Sequence, residues 1–221
     1  MKKKIWFFLC SIMVCLFFIG CGTQNENVNS ENENQIEEAN VISPLPNTLD
    51  INQLDNCTVA VSLEQGDAYV DGDGVMQMDV TVYVYDLYDM VDIAALKEGD
   101  IIVIKGEDVI VSSLERNDIG LFINGGLDEN GYELRTDDST VWYESGYSDI
   151  KSYYEIGKAT IRVSPDMCFY DNSDLDKGES IYYPGDFLIQ DGGFMYHFVP
   201  NNTTITIQNG QIIEINRRYI P

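Results

Sequence analysis

Aromatic residues crowd one polar stretch of this chain. Residues 140–157 read TVWYESGYSDIKSYYEIG, and five aromatic side chains lie there among Ser, Glu, Asp and Gly: Trp142, Tyr143, Tyr147, Tyr153 and Tyr154. Aromatic faces beside hydroxyl and carboxylate groups can stack on sugars, and such patches also occur at protein interfaces. The stretch therefore predicts a ligand-binding surface. The competing interpretation is a set of strand aromatics that are half in the core and half exposed.

A glycine-rich turn carries carboxylates at close spacing. Asp67, Asp71 and Asp73 lie in it, and hard oxygen ligands on a tight loop are the donors that Ca²⁺ prefers. The spacing does not fit an EF-hand, and solvated turn acids are the simpler interpretation. Calcium is the one cofactor that the sequence suggests.

The sequence offers little for catalysis. Any Ser-His-Asp or Cys-His arrangement would have to use the one histidine, His197. No G-x-S-x-G, H-E-x-x-H or Cys-x-x-Cys pattern occurs. With 37 acidic residues, carboxylate pairs for glycoside hydrolysis are too common to be informative. We therefore expect a non-enzymatic binding or envelope-associated protein, with an extracytoplasmic hydrolase or carbohydrate-binding accessory module as the alternative.

The N-terminus has the pattern of an export signal. Lysines at positions 2–4 precede an apolar run from Ile5 to Ile19, and the small residue Gly20 follows. A basic start, a short apolar run and a small residue are typical of a secretory signal peptide, here residues 1–20. As a helix the run spans roughly 22 Å, short of the ~30 Å hydrocarbon core, which disfavours a permanent membrane anchor.

Residues 16–21, Leu-Phe-Phe-Ile-Gly-Cys, resemble the lipobox of bacterial lipoproteins. The resemblance covers residues 1–21, and Phe18 stands where that family usually has Leu. It implies cleavage before Cys21 and acylation of Cys21, and hence lipid attachment at the extracytoplasmic face of a bacterial cell membrane. Two or more acyl chains give stable anchoring.

Charge limits the expected partners. The chain has 13 Lys and Arg residues against 37 Asp and Glu, a net charge of −24 at pH 7. Nucleic-acid binding needs a basic footprint, so nucleic acid is not an expected partner. An acidic chain is repelled by anionic lipid heads, so the lipid anchor would have to hold it at the membrane. The remaining expectation is an unknown protein or glycan partner at the cell surface.

Composition divides the mature chain in two. Residues 21–48 are rich in Asn and Glu and are expected to form a disordered acidic tether, followed by a β-rich domain over residues 49–221. That domain holds Cys57 and Cys168. Export permits a disulfide between them. Two buried free thiols are at least as plausible, since the sequence cannot place their Cα atoms close together.

Strand patterns dominate the domain. Residues 76–85 alternate apolar and polar, which is typical of a half-buried antiparallel strand. Further strands are predicted at 101–104, 159–163 and 187–190. Many short strands with regular turns predict a mainly β fold, either an antiparallel sandwich or a partly closed barrel with one short helix.

Two local signals are stronger than the rest. Residues 92–99 predict the short helix, with Asp92 capping its start and Gly99 ending it in the left-handed conformation. Asn209-Gly210 lies between two apolar β-branched runs and predicts a C-terminal hairpin.

A weak internal repeat suggests a duplication. Residues 80–106 and 159–185 align without gaps and keep two glycines in register. The corresponding halves would be residues 57–130 and 150–221, packed as two similar β-modules.

We predict that Cys21→Ser moves the protein from the membrane to the soluble fraction, because the thiol is the expected site of acylation. Fractionation followed by immunoblotting measures this, and Cys57→Ser is the matched control that should stay membrane-bound. Continued membrane association of Cys21→Ser would mean that the apolar run itself is the anchor.

Overall fold

Strands make up most of the computed structural model, which describes residues 39–64, 66–137, 140–188 and 197–220. This confirms the mainly β fold class. The predicted signal peptide, Cys21 and residues 22–38 of the predicted tether lie outside the described residues.

Fifteen strands and two short α-helices are present in the described ranges. The helices are α1 (Met90–Ala95) and α2 (Pro184–Leu188). Single 3₁₀ turns lie at Leu127–Glu129 and Tyr147–Asp149. The strands are β1 Val41–Ile42, β2 Cys57–Ser62, β3 Ala68–Val70, β4 Met76–Val84, β5 Leu87–Asp89, β6 Ile101–Ile104, β7 Glu107–Ile110, β8 Leu114–Arg116, β9 Leu121–Ile123, β10 Tyr132–Arg135, β11 Val141–Ser145, β12 Tyr154–Asn172, β13 Ser180–Tyr182, β14 Thr203–Gln208 and β15 Gln211–Arg218.

Five strands close into a barrel. β2, β4 and β12 form an antiparallel meander, and β14 pairs antiparallel with β2. These four strands make a Greek key. β15 fills the gap between β14 and β12, antiparallel to the first and parallel to the second. This is the strand order of the five-stranded oligonucleotide/oligosaccharide-binding (OB) barrel, although strand order alone assigns no function.

The barrel interior follows from alternation along its strands. Met78, Val80 and Val82 of β4 point inward and are buried, as the sequence pattern predicts. The predicted C-terminal hairpin is also confirmed, with Asn209 and Gly210 both at positive φ between β14 and β15.

Strand β12 is much longer than the predicted strand at 159–163. Its first part, from Tyr154 to Arg162, pairs with β4, and its second part, from Arg162 to Asn172, pairs with β15. Register shifts within each part bend the strand. These irregularities break the alternation that sequence patterns detect, and they let one strand close the barrel on both sides.

Helix α2 replaces the strand predicted at residues 187–190, so that prediction is wrong for Phe187 and Leu188. Pro184 opens the helix, a position where its missing N–H is tolerated. The Asp186 carboxylate accepts the backbone amide of Tyr183 (2.7 Å). Phe187 is 2% exposed and packs on Phe169 in the barrel core.

Residues 85–153 form an insert between β4 and β12 with its own core. Its sheets have the orders β5-β11-β10-β9-β8 and β1-β6-β7. The predicted helix is present as α1 but begins at Met90 rather than Asp92, because Asp89 caps it by accepting the Val91 amide (2.7 Å). The helix ends at Ala95, with Leu96 as its C-cap, so the prediction that Gly99 ends it is wrong, although Gly99 does have the predicted left-handed conformation (φ +92°).

The fold begins earlier than the sequence predicted. Val41 and Ile42 form β1 and pair parallel with β6. Ile42 is 7% exposed in the insert core, and the Asn40 amide donates to Asp100 Oδ1 (3.0 Å). The Leu45 amide donates to the Leu87 carbonyl. The prediction of a disordered tether is therefore wrong over residues 40–45, because a short apolar pair here completes a sheet edge.

The two aligned halves have different strand orders. Residues 80–125 leave the barrel after β4 and pass through both sheets of the insert, whereas residues 159–210 return to the barrel through β14. The interpretation as two similar β-modules is therefore wrong. The alignment reflects similar strand and turn composition.

Docking of β1 can be tested by truncating its buried side chain. We predict that Ile42→Ala lowers the free energy of unfolding by about 2–4 kcal/mol, because it leaves a cavity in the insert core. Val41→Ala is the matched control: Val41 is 60% exposed, and its truncation should change stability by less than about 0.5 kcal/mol. Urea unfolding measures both, and equal effects would contradict the docking of β1.

Candidate functional site

Three clefts follow one another along the junction between the barrel and the insert. The tyrosine cleft, about 470 Å³, is lined by the segment 45–49 and by β2 and β4. The cation cleft, about 290 Å³, lies at the ends of β12, β14 and β15. The C-terminal cleft, about 350 Å³, lies between residues 148–151 and 218–220.

Shared lining residues make the three clefts one groove, called here the junction groove. Tyr153 and Thr204 line both the tyrosine cleft and the cation cleft. Lys151, Asn201 and Arg218 line both the cation cleft and the C-terminal cleft. Ligand sites occur preferentially where two parts of a fold meet, so this groove is the candidate functional site.

Three tyrosines give the tyrosine cleft its aromatic surface. Tyr83, Tyr85 and Tyr153 line it, and the Tyr85 and Tyr153 rings meet edge to face with centroids 5.2 Å apart. Burial is the largest cause that raises the pKa of Tyr153, and the nearby Tyr85 phenol raises it further. The Tyr153 hydroxyl has no hydrogen-bond partner among the described residues. Because its pKa is raised, the Tyr153 hydroxyl stays protonated at neutral pH. Because it has no partner in the described ranges, it is available to a ligand.

Asp86 is the one acid in the described lining of the tyrosine cleft, and protein groups already occupy it. Its Oδ1 accepts the Tyr154 hydroxyl (2.8 Å), and its Oδ2 accepts the Lys105 amide (2.6 Å). Burial and the bond to Asp86 raise the pKa of Tyr154 to about 12. These bonds tie the ends of β4 and β12 to the β6–β7 turn. Asp86 thus supports the cleft wall.

A second buried polar contact holds the insert against the segment that leads back into the barrel. The Lys105 ammonium donates to Glu144 Oε1 (3.0 Å) and to Ser152 Oγ (2.8 Å). Glu144 Oε2 is also 3.0 Å from the ammonium but lacks hydrogen-bond geometry, so that contact is electrostatic only. Burial raises the pKa of Glu144, and the Lys105 contacts oppose the rise.

Lys151 lies in an aromatic cage beside the groove. Its ammonium is 4.8 Å from the Tyr85 ring centroid and 4.9 Å from that of Tyr143. It also donates to the Tyr85 hydroxyl (3.3 Å) and pairs with Asp137 Oδ2 (3.1 Å). Burial alone would lower the pKa of Lys151, but the bonds to Tyr85 and Asp137 outweigh it and raise the pKa. Lys151 is therefore a permanent cation.

Two adjacent arginines of β15 have opposite environments. Arg217 points inward, forms a buried ion pair with Asp171 and lies over the rings of Phe169 and Phe198. Because side chains alternate along a strand, Arg218 points outward to the groove. Arg218 Nε and Nη2 both donate to the Asn201 carbonyl (3.2 Å each). No carboxylate in the described part of the chain forms an ion pair with Arg218.

Two of the five aromatic residues predicted from sequence, Tyr143 and Tyr153, line the groove, and Tyr154 bonds to Asp86 in the wall of the tyrosine cleft. Trp142 packs against the insert core. Tyr147 is 71% exposed and its hydroxyl contacts the Leu127 carbonyl (3.4 Å), away from the groove lining.

Tyr83 and Tyr85 were not predicted as site residues. The available signal was their position on the polar face of an alternating strand, where aromatic side chains face outward. Nothing local connects them with Tyr153, because the insert separates the two segments along the chain.

The carboxylates of the glycine-rich turn build the turn itself. Asp71 Oδ1 accepts the amides of Asp73 (3.0 Å) and Val75 (2.9 Å), and its Oδ2 accepts the Gln77 amide group (2.8 Å). These bonds, the one from Gln77 first, lower the pKa of Asp71. Asp67 Oδ2 accepts the Glu64 amide (2.6 Å). Over the described ranges, no group of three or more His, Cys, Asp or Glu side chains is placed to hold a metal ion.

Cys57 and Cys168 are both free thiols. Cys57 and Cys168 form no disulfide with each other in the structure, and burial raises the pKa of the Cys57 thiol. His197 is exposed, with a positive φ of 71°, and its carbonyl accepts the Asn202 side-chain amide (2.8 Å).

The outer face of β4 and β12 is a second polar surface. Lys158, Thr160 and Arg162 are exposed at alternate positions of β12. Thr160 donates to Asp79 Oδ1 (2.6 Å), while Lys158 and Arg162 make no hydrogen bond or ion pair with described residues. Carboxylates of Asp67 and Asp79 line the same surface.

No protein family, curated protein or solved structure matched this chain in our comparisons. Among the helices of the described ranges, none is long and apolar enough to cross a membrane. The functional conclusion therefore depends on the geometry of the groove.

The Asp171–Arg217 pair fixes the end of β15 at which Arg218 lies. Removing the pair should therefore lower the stability of the fold measurably. Burial alone would raise the pKa of Asp171, but the Arg217 guanidinium and the hydrogen bonds from Ser173 together outweigh it and lower the pKa. A carboxyl with a lowered folded-state pKa adds stability above its unfolded pKa of about 3.9, and this is lost as pH falls through the folded value. We predict that Asp171→Asn is less stable than the native chain by roughly 3 kcal/mol at pH 7.

The stability difference should shrink as pH falls below about 4, because the unfolded-state carboxyl is protonated first, and it should be smallest once the pH is below the lowered pKa of the folded state. Urea unfolding at several pH values measures it. Asp118→Asn, at an exposed carboxylate, is the matched control and should follow the native chain at every pH. A pH-independent difference for Asp171→Asn would contradict the ion-pair assignment.

Proposed function

We propose that this chain is a lipid-anchored, extracytoplasmic binding protein of the bacterial cell surface, without catalytic activity, that holds a glycan in the junction groove. The observation that carries the proposal is the tyrosine cleft, where three phenol rings line an open cavity continuous with a polar cleft. The lipid anchor rests on the resemblance of residues 16–21 to a lipobox.

The lining chemistry favours a glycan. Tyrosine rings offer flat apolar faces on which sugar rings stack, with hydroxyl groups at their rim. Neighbouring polar groups, the Thr204 hydroxyl and the Asn201 amide, can bond sugar hydroxyls because neither side chain has a hydrogen-bond partner among the described residues. The groove extends over three clefts, which suits a chain of sugars better than a compact small molecule.

The tether gives the domain a limited reach from the membrane. Asn40, the first of the described residues with a hydrogen bond, follows Cys21 by 19 positions. At about 3.4 Å per residue, a fully extended segment of this length spans at most roughly 65 Å. A binding domain on such a tether would sample the envelope layer next to the membrane.

The second candidate is an extracytoplasmic hydrolase, with a carbohydrate-binding accessory module as its non-catalytic form. Glycoside hydrolysis needs two carboxyl groups that flank the scissile bond. The described lining of the groove contains Asp86 and Asp137, and these are bonded to Tyr154 and Lys151 respectively. This geometry supports binding more directly than hydrolysis.

Binding can be tested by co-sedimentation with insoluble bacterial cell-wall glycan. We predict that Tyr153→Ala lowers the affinity about tenfold, since it removes the ring and hydroxyl shared by two clefts. Tyr147→Ala is the matched control and should bind like the native chain, because Tyr147 lies outside the groove lining. Equal losses in both variants, or no sedimentation of the native chain, would contradict the proposal.

A further inference from the structure

We propose that the cation cleft binds an anionic group, a carboxylate or phosphate, so that the glycan held in the junction groove is an acidic one. This inference rests on the proposed function for the presence of a glycan. Beyond the proposed function, the inference specifies that the ligand is anionic and that Arg218 is the residue that recognises its charge.

The cleft reverses the charge of the molecule locally. The whole chain has 37 acidic residues against 13 basic ones. The described lining of the cation cleft nevertheless contains Lys151, Arg217 and Arg218 and no Asp or Glu. Such a lining in a strongly acidic chain favours an anionic ligand over a neutral or cationic one.

The three cations in the lining differ in how far protein groups already neutralise their charge. Arg217 is neutralised by the buried carboxylate of Asp171. Lys151 pairs with Asp137, whose side chain is 64% exposed, so this ion pair is largely solvated and weak. Arg218 donates two hydrogen bonds to one backbone carbonyl, which orients the guanidinium without neutralising it. Arg218 is therefore the cation whose charge is available to a ligand.

A guanidinium suits this role because its planar fork matches a carboxylate or phosphate. With Nε and one terminal nitrogen directed to the Asn201 carbonyl, the remaining N–H groups are left for a ligand. The Tyr153 hydroxyl and the Thr204 hydroxyl line the same cleft and are unbonded within the described ranges. They are neutral donors for the other oxygens of the anion.

Size and position connect the anion to the sugars. A cleft of about 290 Å³ suits a single charged sugar unit rather than an extended chain. It shares Tyr153 with the tyrosine cleft, so a charged unit at Arg218 would have its neighbour against the tyrosine rings. A sugar acid or a sugar phosphate within a longer glycan meets both conditions.

The net charge of −24 opposes approach of an anionic polymer at long range. At 0.15 M salt such repulsion is screened beyond about 8 Å, whereas contacts inside a cleft are screened less. Binding should therefore be measured at this ionic strength.

The test uses isothermal titration of the full chain in detergent. The probes are a short oligogalacturonate, its carboxyl-reduced neutral counterpart, and a poly(glycerol phosphate) that separates phosphate from carboxylate recognition. We expect the native chain to prefer an anionic probe to the neutral one. Arg218→Ala should lower the affinity for that anionic probe about tenfold, and leave the affinity for the neutral probe within about twofold.

Two further variants control for charge and for stacking. Arg162→Ala removes an exposed arginine, without a hydrogen bond or ion pair in the described ranges, from the β4–β12 face and should bind both probes like the native chain. Tyr153→Ala should lower the affinity for both probes, which tests the proposed function separately.

If Arg218→Ala keeps the native preference for the anionic probe, or if Arg162→Ala is the variant that loses it, the anion site is refuted while glycan binding stands. If the native chain binds none of the three probes, the anion site is refuted together with this class of ligand.

Discussion

The buried ion pair between Asp171 and Arg217 joins the two strands that close the barrel. The two residues are register partners of β12 and β15, the one parallel pairing in the closed ring. A buried charge without its partner is strongly destabilising, so the pair penalises a shifted register. A slip of one residue would exchange the inward and outward faces of β15. Arg218 would then point into the core, and the groove would lose its unpaired cation.

The groove exists because a polar junction joins two apolar cores. The barrel core and the insert core are separate clusters of buried side chains. Between them, Asp86 and Glu144 are buried and bonded to Tyr154 and Lys105. Buried polar groups of this kind must have partners, which restricts how the insert can sit on the barrel. The surface left open along this junction has tyrosines at one end and cations at the other.

Local signals predicted the local structure, and long-range pairing decided the rest. The hairpin at Asn209-Gly210 and the alternation of β4 were predictable because their cause lies within a few residues. The strand at Val41–Ile42 was not, since a pair of apolar residues forms a strand only where β6 offers a free edge. The same reason explains why half of the site was missed. Tyr153 was predicted as an aromatic in a polar stretch, but its partner Tyr85 directly follows β4 and meets Tyr153 only in the folded chain.

Strand alternation gives two neighbouring arginines different environments. Arg217 faces inward, where only a carboxylate can compensate a buried guanidinium, and Asp171 provides it. Arg218 faces outward, where water can solvate the charge, and its partner in the protein is a backbone carbonyl. A carbonyl fixes the direction of the guanidinium and leaves its positive charge in place. In a chain dominated by carboxylates, such a charge persists only where the fold keeps acidic side chains away, and the described lining of the cation cleft does so.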